Sequence, residues 1–173
     1  MIEPYAPGFI AFALVWCLIG LSWLRKGNPE TAAKVGFIVG AAALILGVYG
    51  YVLGEDYLAA CLDLAAGVAF LGWGIGCGLL PAKGEVSDAP FWGFYFAWVG
   101  AFLAVIGALW MFRSGEFLIS VAIFLYAVDC FLDAACTWGK IGATGGGWAI
   151  LIISLVESAL GFAFAAGYGA ISL

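Results

Sequence analysis

Four carboxylic acids lie inside long apolar stretches of this 173-residue chain: Asp63, Asp129, Asp133 and Glu157. A charge at the centre of a bilayer costs at least ~2.5–3.5 kcal/mol, so such side chains are expected to face a protein interior. Ionised carboxylates accept hydrogen bonds from N–H groups. Asp63 and Glu157 are therefore predicted to bind a polar solute that crosses a membrane. A structural role, in which they hold helices together through Ser or backbone partners, stays open.

Asp129 and Asp133 are four residues apart, which places them on one face of a helix. Two carboxyls so close can share a proton or hold a cation, and we treat them as a possible proton or cation site. Asp133 is also close enough to the end of its apolar stretch to be interfacial. The chain has no histidine, and its five cysteines lack CxxC spacing. Neither a metal site nor a cofactor is predicted.

The elements that must position these acids are membrane-spanning helices. Hydrophobic residues make up 66% of the chain, charged residues only 10%, and the mean hydropathy is +1.14. A spanning helix needs ~20 apolar residues, and such stretches fill nearly the whole sequence. We predict an all-α polytopic membrane protein, one transmembrane domain over residues 1–173. The six predicted helices are 8–24, 32–53, 57–80, 91–112, 117–138 and 147–172.

The links carry turn chemistry and an asymmetric charge. Asn28 is predicted to cap helix 2 with Pro29 in its first turn, and the glycine-rich stretch 139–146 is predicted to be a loop. Five of the six basic residues adjoin the links after helices 1, 3 and 5, and only Arg113 lies on the other side. Because Lys and Arg favour cytoplasmic loops, both termini are predicted to lie outside.

Two segments resemble each other, Asp63–Phe70 in helix 3 and Glu157–Phe164 in helix 6. Both follow the pattern acid-x-Ala-x-Gly-x-Ala-Phe. The match falls on the third helix of each half, which predicts a three-plus-three inverted repeat of the kind found in transporters. At 1.5 Å per residue, Asp63 lies ~9 Å from the start of helix 3 and Glu157 ~15 Å from the start of helix 6. One acid is thus expected in each half of a central path.

Glycines at four-residue spacing predict close helix packing. The pairs are Gly36/Gly40, Gly50/Gly54, Gly72/Gly76 and Gly74/Gly78.

An enzyme is not favoured, because without histidine no nucleophile–base pair can be assembled and no phosphate-binding glycine loop is present. No basic patch for nucleic acid exists either. Transport of a small solute fits the acids better.

Several short segments are similar to the small six-helix bacterial urea and amide channels of the AmiS/UreI type. That resemblance implies the six-helix fold, a bacterial inner-membrane location and a homo-oligomer, a hexamer with one pore per subunit. Departures are the helix-5 tryptophans, replaced here by Phe124, Ala127 and Phe131, and the absent loop histidines. The similar segments are Gly36–Ala41, Trp73–Ile75, Phe91–Phe96, Ile123–Leu125 and Gly147–Ile150.

The expected function is a passive channel for a small polar uncharged solute such as urea or a short amide. Aromatic constrictions would stack a planar solute while Asp63 and Glu157 accept its N–H groups. The alternatives are a proton-coupled carrier of a small anion such as acetate, and an accessory subunit of a membrane complex. The aromatic side chains expected along the path are Trp16, Phe70, Trp73, Phe124, Phe131 and Phe164.

Overall fold

The computed structural model describes residues 6–53, 57–74 and 89–168, which fold into six α-helices and no strand. All six are long and apolar enough to cross a membrane. This confirms the prediction of an all-α chain with six helices of spanning length. The helices are α1 (Ala6–Trp23), α2 (Pro29–Leu53), α3 (Tyr57–Gly74), α4 (Ala89–Ser114), α5 (Phe117–Thr137) and α6 (Ala143–Ala165).

The predicted cap of α2 is confirmed, although the helix begins three residues before the predicted bound at 32. The backbone N–H of Glu30 donates to Asn28 Oδ1 at 2.9 Å, and Pro29 occupies the first helical position, where its missing N–H costs nothing. Several other predictions fall outside the described residues: the link 54–56, the end of helix 3, the loop 81–88 with Lys83, residues 169–172, Cys77, and the glycines at 54, 76 and 78.

The prediction of a loop over 139–146 is wrong in its second half, because α6 begins at Ala143. Gly139 does turn the chain, with φ +67°, but Gly146 and Gly147 are buried helical residues. A Cβ on Gly147 would lie 3.0 Å from the carbonyl oxygen of Gly20 and 2.9 Å from the side chain of Leu24. These glycines serve helix packing, which glycine-rich composition alone does not distinguish from a loop.

The helices pack most extensively as three antiparallel pairs, α6 with α1, α2 with α3, and α4 with α5, and contacts between pairs are looser. Each pair is close because a glycine of one helix lies on the backbone of the other. A Cβ on Gly40 would lie 2.9 Å from the Gly67 oxygen, and one on Gly100 would lie 3.0 Å from the Ala127 oxygen. These helix contacts do not test the three-plus-three inverted repeat, which stays a prediction.

Every helix carries three buried small residues at intervals of seven, which share one face of the helix. Gly36/Gly40 is the four-residue pair from the sequence whose two glycines are both described, and both lie close to α3. The six sets are Ala6/Ala13/Gly20, Ala33/Gly40/Gly47, Ala60/Gly67/Gly74, Gly93/Gly100/Gly107, Ser120/Ala127/Ala134 and Gly147/Ser154/Gly161.

The residue three positions after each middle small residue is also buried, and we call these six residues the middle layer. They are Trp16, Ala43, Phe70, Leu103, Cys130 and Glu157.

Large apolar side chains cover the outside of the bundle: Phe112 is 86% exposed and Val52 74%, as expected of a multi-pass membrane protein facing lipid. Two ends of the bundle can be distinguished. The terminal end holds the start of α1 and the end of α6, and the basic end holds Arg25, Lys26 and Lys140.

Candidate functional site

A small cavity of about 10 Å³ lies among α1, α3, α4 and α5, which is room for about one water molecule. The Trp16 and Phe70 rings meet edge to face across it, with centroids 5.7 Å apart. Phe12 adds a third ring 5.6 Å from Phe70. Two of the predicted path aromatics are thus brought together. The lining is formed by Phe12, Trp16, Leu62, Ala66, Ala69, Phe70, Leu103, Tyr126 and Cys130.

The other four predicted aromatics lie elsewhere. Phe164 is buried and packs edge-on against Phe9 with centroids 5.0 Å apart, towards the terminal end. Trp73 is buried against Gly36 of α2. Phe124 and Phe131 are 38% and 42% exposed on the outer surface of α5, so they do not join the rings around the cavity.

Glu157 and Asp129 are the most unusual side chains of the interior. Both are completely buried, and none of their four carboxyl oxygens has a hydrogen-bond partner among the described residues. They lie on α5 and α6, two helices that contact each other. Buried polar groups are nearly always hydrogen-bonded, so this pair is a candidate binding site.

Asp133 differs from its neighbour one turn away. It is buried, but its Oδ1 accepts a hydrogen bond from the indole N–H of Trp23 at 2.5 Å. That bond joins α5 to the end of α1 close to the basic end. Asp133 therefore has the structural partner that Asp129 lacks.

Asp63 is partly exposed on α3, and it lies six residues after the helix start at Tyr57, or ~9 Å along the helix. In the small-residue repeat it follows Ala60 by three positions, as Glu157 follows Ser154. Asp63 therefore occupies the equivalent face of its helix, nearer the terminal end.

The expectation of one acid in each half of the path needs correction. Because α6 begins at Ala143 and ends at Ala165, Glu157 lies ~21 Å from its start and ~12 Å from its end. Asp129 lies 12 residues after the start of α5, ~18 Å along it. Glu157 therefore lies in the half of α6 nearer the terminal end, as Asp63 does on α3, and Asp129 lies near the middle of α5.

The polar groups around the pair are engaged with one another. Cys17 Sγ lies 3.0 Å from Ser154 Oγ, and Ser154 in turn donates to the Leu151 carbonyl oxygen at 2.9 Å. The Tyr126 hydroxyl donates to the Phe9 carbonyl oxygen at 2.7 Å. These bonds fix α1 against α5 and α6 and leave the carboxyl pair as the unsatisfied group of this region.

Sequence reasoning missed Phe9, Phe12, Tyr126 and Cys130 as interior residues around the cavity and the pair. The seven-residue repeat of small residues is the signal that could have identified all four. Phe9 and Cys130 follow a small residue by three positions, and Phe12 and Tyr126 precede one directly. The missing hydrogen-bond partners of Asp129 and Glu157 had no signal in the sequence, since they depend on how the helices meet.

No protein-family model, curated protein or solved structure matches this chain.

Proposed function

We propose that the chain is a passive channel for a small polar uncharged solute, such as urea or a short-chain amide. The observation that carries the proposal is that the carboxyls of Asp129 and Glu157 are buried with no hydrogen-bond partner among the described residues, in a bundle that also holds a small cavity lined by aromatic rings. Carboxyl oxygens accept the N–H groups of an amide, and aromatic faces stack on a planar solute. A hydrocarbon or an apolar gas has no hydrogen-bonding group that these carboxyls could bind.

The proposed path runs through the interior of the bundle, along residues that come from all three helix pairs. It enters at the terminal end between Phe9, Phe164 and Asp63, and reaches the middle layer with Trp16, Phe70 and Glu157. The Trp16 and Phe70 rings are in edge contact, so passage requires them to move apart as each solute crosses. Such narrow points reject large solutes and bulk water.

The proposed setting is a bacterial inner membrane with the basic end in the cytoplasm and both termini outside. It is supported by the basic side chains of Arg25, Lys26 and Lys140, against Arg113 alone at the terminal end. Assembly as a homo-hexamer follows from the resemblance to urea and amide channels. A Ser114→Cys variant is expected to react with a membrane-impermeant maleimide from outside intact cells, above the wild-type background.

A second candidate is a proton-coupled carrier of a small anion such as acetate. It is favoured by three buried acids on the neighbouring helices α5 and α6, which are Asp133, Asp129 and Glu157. Intramembrane carboxyls in such a chain are typical of proton relays. An accessory subunit of a membrane complex is the third possibility, and it predicts no flux at all.

The test is solute flux into proteoliposomes, followed by light scattering in a stopped-flow instrument. Urea, acetamide, acetate and glycerol are compared with and without a pH gradient. Fast, non-saturating urea or acetamide flux without a gradient is expected. Flux of acetate only with a gradient would establish the carrier instead, and solute-independent rates equal to empty liposomes would eliminate both.

Glu157→Leu tests the role of the acid, because leucine is the residue at the equivalent position of α4, Leu103. Loss of a charged acceptor weakens binding by ~1.5–3 kcal/mol, so amide flux is expected to fall ~10-fold or more. The matched control is Glu30→Gln, an exposed acid paired with Lys34. Unchanged flux in a folded Glu157→Leu protein would make the acid structural.

A further inference from the structure

Four described helices are followed by a residue with a left-handed backbone, and after α1 that residue is not a glycine. After α4, α5 and α6 it is a glycine, namely Gly115, Gly139 and Gly167. Arg25 has φ +56°, and the backbone N–H of Lys26 donates to the Leu21 carbonyl oxygen at 2.9 Å. This bond closes a Schellman motif, in which the left-handed position favours glycine because a Cβ crowds the backbone there. An arginine at a position suited to glycine indicates that its side chain has a binding role.

Lys26 and Lys140 occupy the same position after α1 and α5, two helices that both run towards the basic end. The backbone N–H of Lys140 donates to the Ala135 carbonyl oxygen at 2.8 Å and completes the same motif. The Lys26 ammonium lies over the Trp148 ring, 5.1 Å from its centroid, in a cation–π contact that joins the end of α1 to α6. We call Arg25, Lys26 and Lys140 the three end cations.

The start of α6 lies against the helix ends that carry these cations. A Cβ on Gly147 would lie 3.0 Å from Cβ of Trp23 at the end of α1. A Cβ on Gly146 would meet the sulfur of Cys136 at the end of α5. The three end cations therefore follow two helix ends that both contact the first two turns of α6.

The three end cations are exposed, and within the described ranges none of them is paired with an acid. The ion pair found there joins Lys34 to Glu30. Trp148 and Trp138 are nearly half-exposed at the same end of the bundle, and tryptophan favours the interface between membrane and water. This end of the helices thus combines uncompensated positive charge with interfacial aromatic rings.

We propose that the three end cations and Trp148 bind the headgroup of an anionic phospholipid. Its phosphate accepts hydrogen bonds from the Arg25 guanidinium, whose planar N–H donors match phosphate oxygens, and the lysine ammonium groups add charge. The inference depends on the helices spanning a membrane and is independent of any transported solute.

The apolar surface next to Trp148 favours a lipid over a soluble phosphate. Ile152 and Leu155 follow Trp148 by four and seven residues, so the three side chains share one face of α6. Both are exposed. An acyl chain that lies along this face adds apolar contact, which a soluble phosphate lacks.

The first test is thermal unfolding of the purified protein in a neutral detergent with added phosphatidylglycerol, phosphatidylcholine or glycerol phosphate. Only phosphatidylglycerol is expected to raise the Tm. Arg25→Gly relieves the left-handed backbone, so without lipid its Tm is expected to equal or exceed that of the wild type, while the shift with phosphatidylglycerol shrinks. An Arg25→Gly protein that keeps the full shift would overturn the proposal, as would an equal shift with phosphatidylcholine. An equal shift with glycerol phosphate would assign a soluble anion instead.

The second test counts and titrates bound phosphatidylglycerol by native mass spectrometry. One tightly bound lipid per chain is expected. Arg25→Gly and Lys140→Gln are each expected to weaken its binding ~5-fold. The matched controls are Arg113→Gln, at the terminal end, and Lys34→Gln, which removes a cation already paired with an acid. Weakening by Arg113→Gln as large as that by Arg25→Gly would show that only overall charge matters and would refute the site.

Discussion

Asp129 and Asp133 are one turn apart on α5, both buried, and differ in one respect that can be measured. Replacing Asp133 with valine leaves the indole N–H of Trp23 without its acceptor, which costs ~1–3 kcal/mol of unfolding free energy. Replacing Asp129 with valine removes a carboxyl that has no partner among the described residues. Exchanging buried charge for apolar volume is often neutral or stabilising by up to ~4 kcal/mol. The two variants are thus expected to differ by at least ~1 kcal/mol, or ~2–4 °C in Tm for a chain of this size.

Thermal unfolding of the detergent-solubilised protein, followed by tryptophan fluorescence, measures this difference. Helix propensity and volume change equally in the two variants, so those terms cancel. Asp133→Asn keeps an acceptor oxygen for Trp23 and serves as the control, with a Tm near that of the wild type. The same Asp129→Val protein is expected to lose amide flux despite its stability. An Asp129→Val protein that unfolds as readily as Asp133→Val would refute the reasoning, since Asp129 would then have a structural partner.

Two further substitutions test the helix packing and the cavity. Gly40→Val places a Cβ 2.9 Å from the Gly67 oxygen and is expected to lower the unfolding free energy by ~1–3 kcal/mol, whereas Gly50→Val, with its nearest neighbour at 3.6 Å, is expected to cost less; equal Tm values would contradict the close packing of α2 on α3. Phe70→Leu removes a ring from the cavity and is expected to raise butyramide flux relative to urea, whereas Phe131→Leu on the outer surface is expected to leave that ratio unchanged; a shift in the Phe131 variant instead would place the path elsewhere.

The helices were predictable because each is set by a local property, a run of apolar residues bounded by turn chemistry. Asn28 and Pro29 mark the start of α2 in the sequence as they do in the structure. The start of α6 was not predictable in the same way. Gly145 to Gly147 lower helix propensity by ~1 kcal/mol per residue, yet they are helical because Gly147 has to fit against the backbone of Gly20.

The candidate site was predictable only in part, and the predictable residues share one position relative to the small-residue repeat. Asp63, Phe70, Glu157 and Phe164 were selected by a sequence match, and all four follow a small residue by three positions. The match therefore captured a face of each helix that points inward. Which side chains meet across the interior depends on the rotation of one helix against another, and no local signal encodes that rotation for Asp129.

The small-residue repeat allows Glu157 to be compared with the residues at the same repeat position of the other five helices. In the middle layer, Trp16, Phe70 and Cys130 occupy one position of the odd-numbered helices, and Ala43, Leu103 and Glu157 occupy the other on the even-numbered helices. Ala43 and Leu103, at two of the three positions on the even-numbered helices, are aliphatic and buried. Helix packing at this repeat position therefore does not by itself require an acid. We propose that the carboxyl of Glu157, which like that of Asp129 has no hydrogen-bond partner among the described residues, binds a ligand that supplies the missing hydrogen bonds.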